Sequence, residues 1–147
     1  MGFEISVALR NALLVEMKTQ LDGGVIRIYD DSSAIPSSPT DAVGSAVLLC
    51  TVSNNSAGTG INFDTAPASG TLAKAPAETW SGTNVASGTA AFYRFSSLSD
   101  TGAYSTTEDR LQGTIDTVDA DLLLSSTTLT SGNTQRIDYY TVGMPEE

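Results

Sequence analysis

Residues 88–97, Gly-Thr-Ala-Ala-Phe-Tyr-Arg-Phe-Ser-Ser, are the most aromatic stretch of the sequence and predict a central β-strand. Side chains alternate across a β-strand, so Tyr93 and Phe95 would share one face while Phe92 and Arg94 share the other. Both faces are then substantially apolar, which is typical of a central strand that is covered on both sides. We expect an opposing sheet to cover one face and the N-terminal helix to cover the other.

The remaining sequence predicts one helix and about eight short strands. The helix spans residues 4–21 and ends at a double glycine, Gly23-Gly24. Turn-rich segments separate the predicted strands, which are residues 25–30, 46–53, 61–63, 71–74, 88–97, 110–116, 120–126 and 135–142. Because strands and helices do not alternate, we predict a mostly β protein: an antiparallel β-sandwich or jelly roll with one N-terminal α-helix packed on it. The predicted organisation is a single domain of residues 1–147, with the sandwich over 25–142.

The predicted helix and the tryptophan are the candidate interaction surfaces. Apolar residues at four-residue spacing line one side of the helix: Ile5, Leu9, Leu13, Met17 and Leu21. Further apolar residues fall off this stripe, so the helix is either deeply docked in its own domain or wedged between the domain and a partner. Trp80 is either a lid over the core or an exposed anchor. The candidate interface residues are Leu9, Leu13, Met17 and Trp80.

The charge balance disfavours two classes of partner. The 147 residues include 7 Lys and Arg against 17 Asp and Glu, a formal net charge of -10. The chain cannot supply the basic surface that binding to nucleic acid or to an anionic membrane requires. No apolar run approaches the roughly 18 residues of a membrane span, and charged residues interrupt residues 1–20, unlike a signal peptide. We therefore expect a protein made in the cytoplasm and not processed.

The residue types do not predict an enzyme. Histidine is absent, which excludes a Ser-His-Asp triad and histidine-based metal sites, and Cys50 sits in an apolar run where a buried thiol is expected. The acidic residues Asp116, Asp119 and Asp121 lack the spacing and glycine of a calcium loop, so a solvated strand is the better interpretation. Arg94 would pair with an acid across the sheet or reach a partner. We predict no catalytic residues, no metal and no cofactor.

The order of segments resembles a group of small virion structural proteins of tailed bacteriophages. The similarity covers most of the chain and rests on short motifs: Leu-Arg-Asn-Ala-Leu-Leu at 9–14, Gly-Gly at 23–24, Ile-Arg-Ile-Tyr-Asp at 26–30, Gly-Thr-Ala-Ala-Phe-Tyr-Arg-Phe at 88–95, Leu-Gln-Gly at 111–113, Asp-Ala-Asp-Leu at 119–122 and Ser-Gly-Asn-Thr at 131–134. The Ser-rich acidic loop at 100–109 departs from the pattern.

The resemblance implies a capsid decoration, or cement, protein with no catalytic residues. Such a protein binds the outer surface of the assembled shell, with the major capsid protein as partner, and forms a homo-oligomer, most simply a trimer at local threefold positions. Its place would be the capsid exterior of the virion.

Two alternatives stay open. The same sandwich could serve as a tail or neck component of the virion. A carbohydrate-binding β-sandwich module is a second alternative, and it needs an exposed aromatic residue beside a carboxylate. Trp80 near Glu78 is the pair that the sequence offers for it.

Overall fold

The computed structural model describes residues 3–144, which form one helix and ten strands. The elements in chain order are α1 (Val7–Leu21), β1 (Val25–Asp30), β2 (Leu48–Asn54), β3 (Thr71–Ala73), β4 (Trp80–Thr83), β5 (Gly88–Ser96), β6 (Arg110–Asp116), β7 (Leu122–Leu123), β8 (Thr128–Leu129), β9 (Thr134–Ile137) and β10 (Thr141–Gly143). The predicted domain of residues 1–147 extends beyond the described residues at both ends.

One large sheet dominates the molecule. Its strands run in the order β7-β6-β5-β1-β2-β4-β9, with β8 pairing to the start of β5. All of these pairings are antiparallel except β6 with β7, and the sheet curls into a half-barrel. A small sheet of β3 and β10 lies apart from it. The predicted class, mostly β with one N-terminal helix packed on the sheet, is confirmed.

The strand β5 is central, as its sequence predicts. It lies between β1 and β6, with Phe95 opposite Ile26 and Tyr93 opposite Ile28 on β1. Aromatic side chains on both of its faces are buried, and those of Phe92 and Phe95 are fully inaccessible to solvent. Other parts of the chain therefore cover both faces of β5, and different elements cover each face.

The core lies on the Tyr93 and Phe95 face of β5. Phe63 stacks on Phe95 with ring centroids 5.2 Å apart, and Trp80 meets Phe95 edge-on at 6.0 Å. The helix contributes Leu14 and Leu21 to the same core, and β3 is the strand with which the helix makes its main contact. The helix therefore covers the core side of the sheet.

Two long loops cover the opposite face of β5. Tyr29 stacks on Phe92 there at 5.0 Å, beneath residues 31–47 and 97–109. The loops hold each other through backbone bonds, for example from the Val43 amide to the Gly102 carbonyl at 3.0 Å. The prediction that the helix covers one face of this strand and an opposing sheet covers the other was wrong, because the helix and β3 both lie on the core face and loops cover this one. The reason lies in Arg94, which projects from this face and needs acceptors that an apolar cover does not offer.

Arg94 is a buried cation held by neutral oxygens. Its Nε donates to Gln112 Oε1 at 2.9 Å, and its Nη2 donates to the Asp41 carbonyl at 2.7 Å and to the Ser38 carbonyl at 3.4 Å. Within residues 3–144 no carboxylate pairs with it, so the predicted ion pair across the sheet is replaced by bonds to the loop backbone. Burial lowers the pKa of Arg94, and the nearby Arg110 guanidinium adds to that effect.

A buried ion pair ties the two loops together. Arg110 donates from Nε and Nη2 to the two carboxylate oxygens of Asp100, both at 2.7 Å. It also donates to the Pro39 carbonyl at 3.0 Å and the Ala103 carbonyl at 2.7 Å. Burial by itself raises the pKa of Asp100, but bonds from Arg110 and the Gly102 amide outweigh it and lower the pKa to about 2. The carboxylate is therefore charged across the whole neutral range.

The last predicted strand, residues 135–142, is interrupted. β9 ends at Ile137 and pairs with β4, whereas β10 begins at Thr141 and pairs with β3. The three residues 138–140 connect the two sheets. This break turns Tyr139 outward and Tyr140 into the core, where its hydroxyl bonds to that of Tyr93 at 2.8 Å.

Candidate functional site

Several apolar side chains of α1 are exposed to solvent. Ser6 caps the helix by accepting the Leu9 amide at 3.2 Å, which is why the helix begins at Val7 and not at residue 4. Leu9 is 48% exposed and Leu13 is 41% exposed. Further apolar side chains in solvent on the same helix and just before it are Phe3, Val7 and Val15.

The inner side of α1 docks by other means. Leu14 and Leu21 are buried. Asn11 Oδ1 accepts the Gly70 amide at 2.9 Å, and Asp22, just past the helix, accepts the Phe63 amide at 2.8 Å. The outer apolar residues are therefore not needed to hold the helix on the domain.

The predicted stripe on the helix does not follow the buried side. A step of four residues advances about 40° around a helix of 3.6 residues per turn, so the stripe winds off its starting face. Leu9 and Leu13 consequently face solvent, while Met17 is half-buried against the core and Leu21 is buried. The sequence allowed either a deeply docked helix or a helix between the domain and a partner. Neither describes α1 fully, since one side of the helix is docked and the other is exposed.

Trp80 is part of the core. It lies in β4 and not in a loop, its side chain is fully buried, and its Nε1 donates to Glu78 Oε1 at 3.0 Å. Glu78 also accepts the Asn62 amide at 2.8 Å. Burial raises the pKa of Glu78, but the bonds from Asn62 and Trp80 outweigh it and lower the pKa overall. The lid interpretation of Trp80 is therefore correct, and the exposed-anchor interpretation and the sugar platform proposed for this pair are wrong.

Tyr139 is an exposed aromatic side chain that the sequence prediction placed inside a regular strand. Its side chain is 88% exposed, and it stands among surface depressions that share Asp138 as a lining residue. The sequence signal for it was present in the pair Tyr139-Tyr140, because at most one of two successive strand residues faces a given core.

The side chains that were considered as metal ligands or as a reactive thiol, Asp116, Asp121 and Cys50, make structural contacts. Asp121 Oδ2 accepts the Thr114 amide at 2.9 Å, and Asp116 Oδ1 accepts the Thr117 amide at 2.7 Å. In the described part of the chain no three acidic or cysteine side chains are grouped to hold a metal ion. Cys50 is buried, and burial raises the pKa of its thiol to about 11, so it stays protonated at neutral pH.

No helix within residues 3–144 has the length and apolar character to cross a membrane. Comparison with known proteins found no matching family model, no curated protein and no solved structure similar to this chain.

Proposed function

We propose that this protein is a non-enzymatic structural component of a tailed-bacteriophage virion that binds the outer surface of the capsid and stabilises the assembled shell. The observation that carries the proposal is the exposure of the apolar side chains Leu9 and Leu13 on the outer side of α1. The choice of a phage capsid as partner rests on the sequence resemblance described above.

The first half of α1 and the residues just before it support a role in protein binding. Residues 3–15 include only two charged side chains, Glu4 and Arg10, in a chain with a net charge of -10, whereas the second half of α1 carries Glu16 and Lys18. A surface with few charges loses little hydration energy when a partner covers it, whereas the acidic remainder keeps the free protein soluble. Apolar core and polar rim are the usual arrangement of a protein interface.

The mechanism is mass action. A ligand that binds the assembled shell but not its free subunits stabilises the shell by an amount that grows with occupancy. Many copies bound as a homo-oligomer, with a trimer at local threefold positions as our proposal, would add avidity without requiring strong individual contacts. Fully burying a leucine contributes about 1.5–3 kcal/mol, so the half-exposed Leu9 and Leu13 would together contribute about 2 kcal/mol per copy.

The test uses undecorated phage heads and purified protein. Wild-type protein should co-sediment with the heads and raise their resistance to heat, at a copy number proportional to that of the shell protein. The double variant Leu9→Gln, Leu13→Gln should bind about 30-fold more weakly, the equivalent of about 2 kcal/mol. Its urea midpoint should stay close to wild type because neither side chain is buried.

The control is Val118→Gln, which replaces an apolar side chain that is 78% exposed and lies far along the chain from α1. It should bind heads like wild type. Absence of binding by the wild-type protein would overturn the capsid proposal, and equal binding by the double variant would overturn the role of α1. Electron microscopy of virions that places the protein at one vertex alone would instead establish the tail or neck alternative.

A further inference from the structure

The segment 138–140 presents Tyr139 on a fixed support. Its neighbour Tyr140 is buried, its hydroxyl bonds to Tyr93, and its carbonyl accepts the Lys74 amide at 2.9 Å. Burial raises the pKa of Tyr93 to about 12, so this hydroxyl pair remains neutral and intact at neutral pH. Tyr140 is therefore anchored inward, while its neighbour Tyr139 is exposed to solvent.

Tyr139 stands between depressions of useful size. One, of about 440 Å³, lies between residues 120–125 and 136–141. A second, of about 320 Å³, lies between residues 74–79 and 136–139. Tyr139 lines both, together with Arg136 and Asp138. An exposed aromatic ring beside such depressions, with polar side chains in their lining, offers a small molecule a stacking surface and hydrogen-bonding groups.

The polar groups around the ring are mixed in charge. Arg136 Nε donates to Asp138 Oδ1 at 3.0 Å, and both side chains are largely exposed. Neither Nη group of Arg136 has a hydrogen bond within residues 3–144. Asp121 is held in place by Thr114 through one oxygen, and lines the larger depression. Donors and acceptors therefore line the same depression as Tyr139.

The aromatic ring and the mixed charges around it favour some classes of ligand over others. A nucleotide could stack on the ring, but the carboxylates of Asp121 and Asp138 would repel its phosphates. A metal ion lacks a cluster of ligands among the described residues. A peptide anchor needs an enclosed apolar pocket, whereas these depressions are open and rimmed by charges. A neutral pyranose satisfies the site, because its C–H face can lie on an aromatic ring while its hydroxyl groups donate to carboxylates and accept from a guanidinium.

We propose that Tyr139, with Arg136, Asp138 and Asp121 around it, forms a saccharide-binding site that stacks one pyranose ring. A single stacking ring on an open surface gives millimolar affinity, which repeated copies on a particle would raise. The site lies on residues 120–141 and does not include α1, so it is independent of the capsid-binding proposal.

The experiment titrates isotope-labelled protein with cellohexaose, maltohexaose and chitohexaose and follows the amide resonances by NMR. At least one of the three should shift resonances of residues 120–125 and 136–141 at millimolar concentration. Tyr139→Ala should weaken binding about tenfold or more, whereas Tyr139→Phe should keep it within about threefold, because the stacking face is retained.

The matched control is Tyr104→Ala, which removes another exposed tyrosine, 66% accessible, in the loop 97–109. It should bind like wild type. No shift with any of the three oligosaccharides would overturn the proposal, as would equal binding by wild type and Tyr139→Ala. Binding to undecorated heads, measured in parallel with Tyr139→Ala, should be unchanged, so that failure here is distinct from failure of the capsid proposal.

Discussion

The two faces of β5 are equally buried but are covered by different chemistry. On the core face, α1, β3 and Trp80 pack apolar side chains around Phe95. On the other face, two loops without regular structure lie over Phe92 and Arg94, and guanidinium groups donate to their carbonyls. A loop that makes no ladder still needs partners for its backbone, and here two buried arginines supply several of them.

A long loop can serve as a layer of a fold when buried side chains satisfy its backbone. Each guanidinium offers five donors in a fixed plane, so Arg94 and Arg110 together hold the carbonyls of Ser38, Pro39 and Asp41. The core face is stabilised by close packing of apolar side chains, whereas the loop-covered face is stabilised by hydrogen bonds. Substitutions on the two faces can therefore measure the two contributions separately.

The largest effect is expected on the core face. Phe95→Ala should lower the free energy of unfolding by about 3–5 kcal/mol, since it removes a fully buried ring and leaves a cavity between Phe63 and Trp80. Urea denaturation followed by circular dichroism measures the loss. Leu98→Ala, two residues beyond the strand at a half-exposed position, serves as control and should change stability by less than about 1 kcal/mol. Similar losses for both variants would contradict this account of the core.

A smaller effect is expected from the loop-covered face. Arg94→Met keeps most of the side-chain volume but removes the donors to Gln112 and Asp41, and should cost about 2–3 kcal/mol. Hydrogen exchange should quicken for amides of residues 38–43 more than for those of β5. The control is Arg136→Met at an exposed position. If Arg94→Met left the exchange of the loop unchanged, the arginine would not be what holds it.

The smallest effect is a pH dependence of the same face. The pKa of Asp100 is lowered from 3.8 to about 2 in the folded protein. A lowered pKa contributes stability that is present above the unfolded value and is lost as pH falls through the folded value, here between about pH 4 and pH 2, and on the order of 2 kcal/mol. Asp100→Asn should be less stable at neutral pH and should show a flatter acid limb in urea titrations. An unchanged acid limb would show that Asp100 does not contribute it.

Much of the sheet was predictable because its central strands bury both faces and so read as apolar runs. The bounds of β1 and β6 match the prediction residue for residue, and β5 differs by its last residue. What failed was the identity of the cover over Phe92 and Arg94. Nothing local in residues 31–47 signals that they lie over a buried arginine, because the acceptors are backbone carbonyls, which every residue possesses.

The interaction surfaces were predicted only in part. Leu9 and Leu13 were identified as candidates and are exposed, but Trp80 was not distinguishable from a surface anchor, because its partner strand β9 is over fifty residues away. Tyr139 was missed because residues 135–142 continue the alternation of a single strand, although β9 and β10 pair with different sheets. Such a break is set by tertiary pairing and not by local propensity.

The pairing of β1 also governs how the chain can fold during synthesis. Val25 pairs with Ser96, so the first strand lacks one neighbour until most of the chain has been made. The main strand contact of the helix is with β3, so this contact cannot form before residues 71–73 have been made. Long-range pairing of this kind is slow compared with helix formation. Until these strands have been made, both sides of α1 are therefore exposed in the nascent chain. During that time the solubility of the nascent chain depends on the charged residues near the helix.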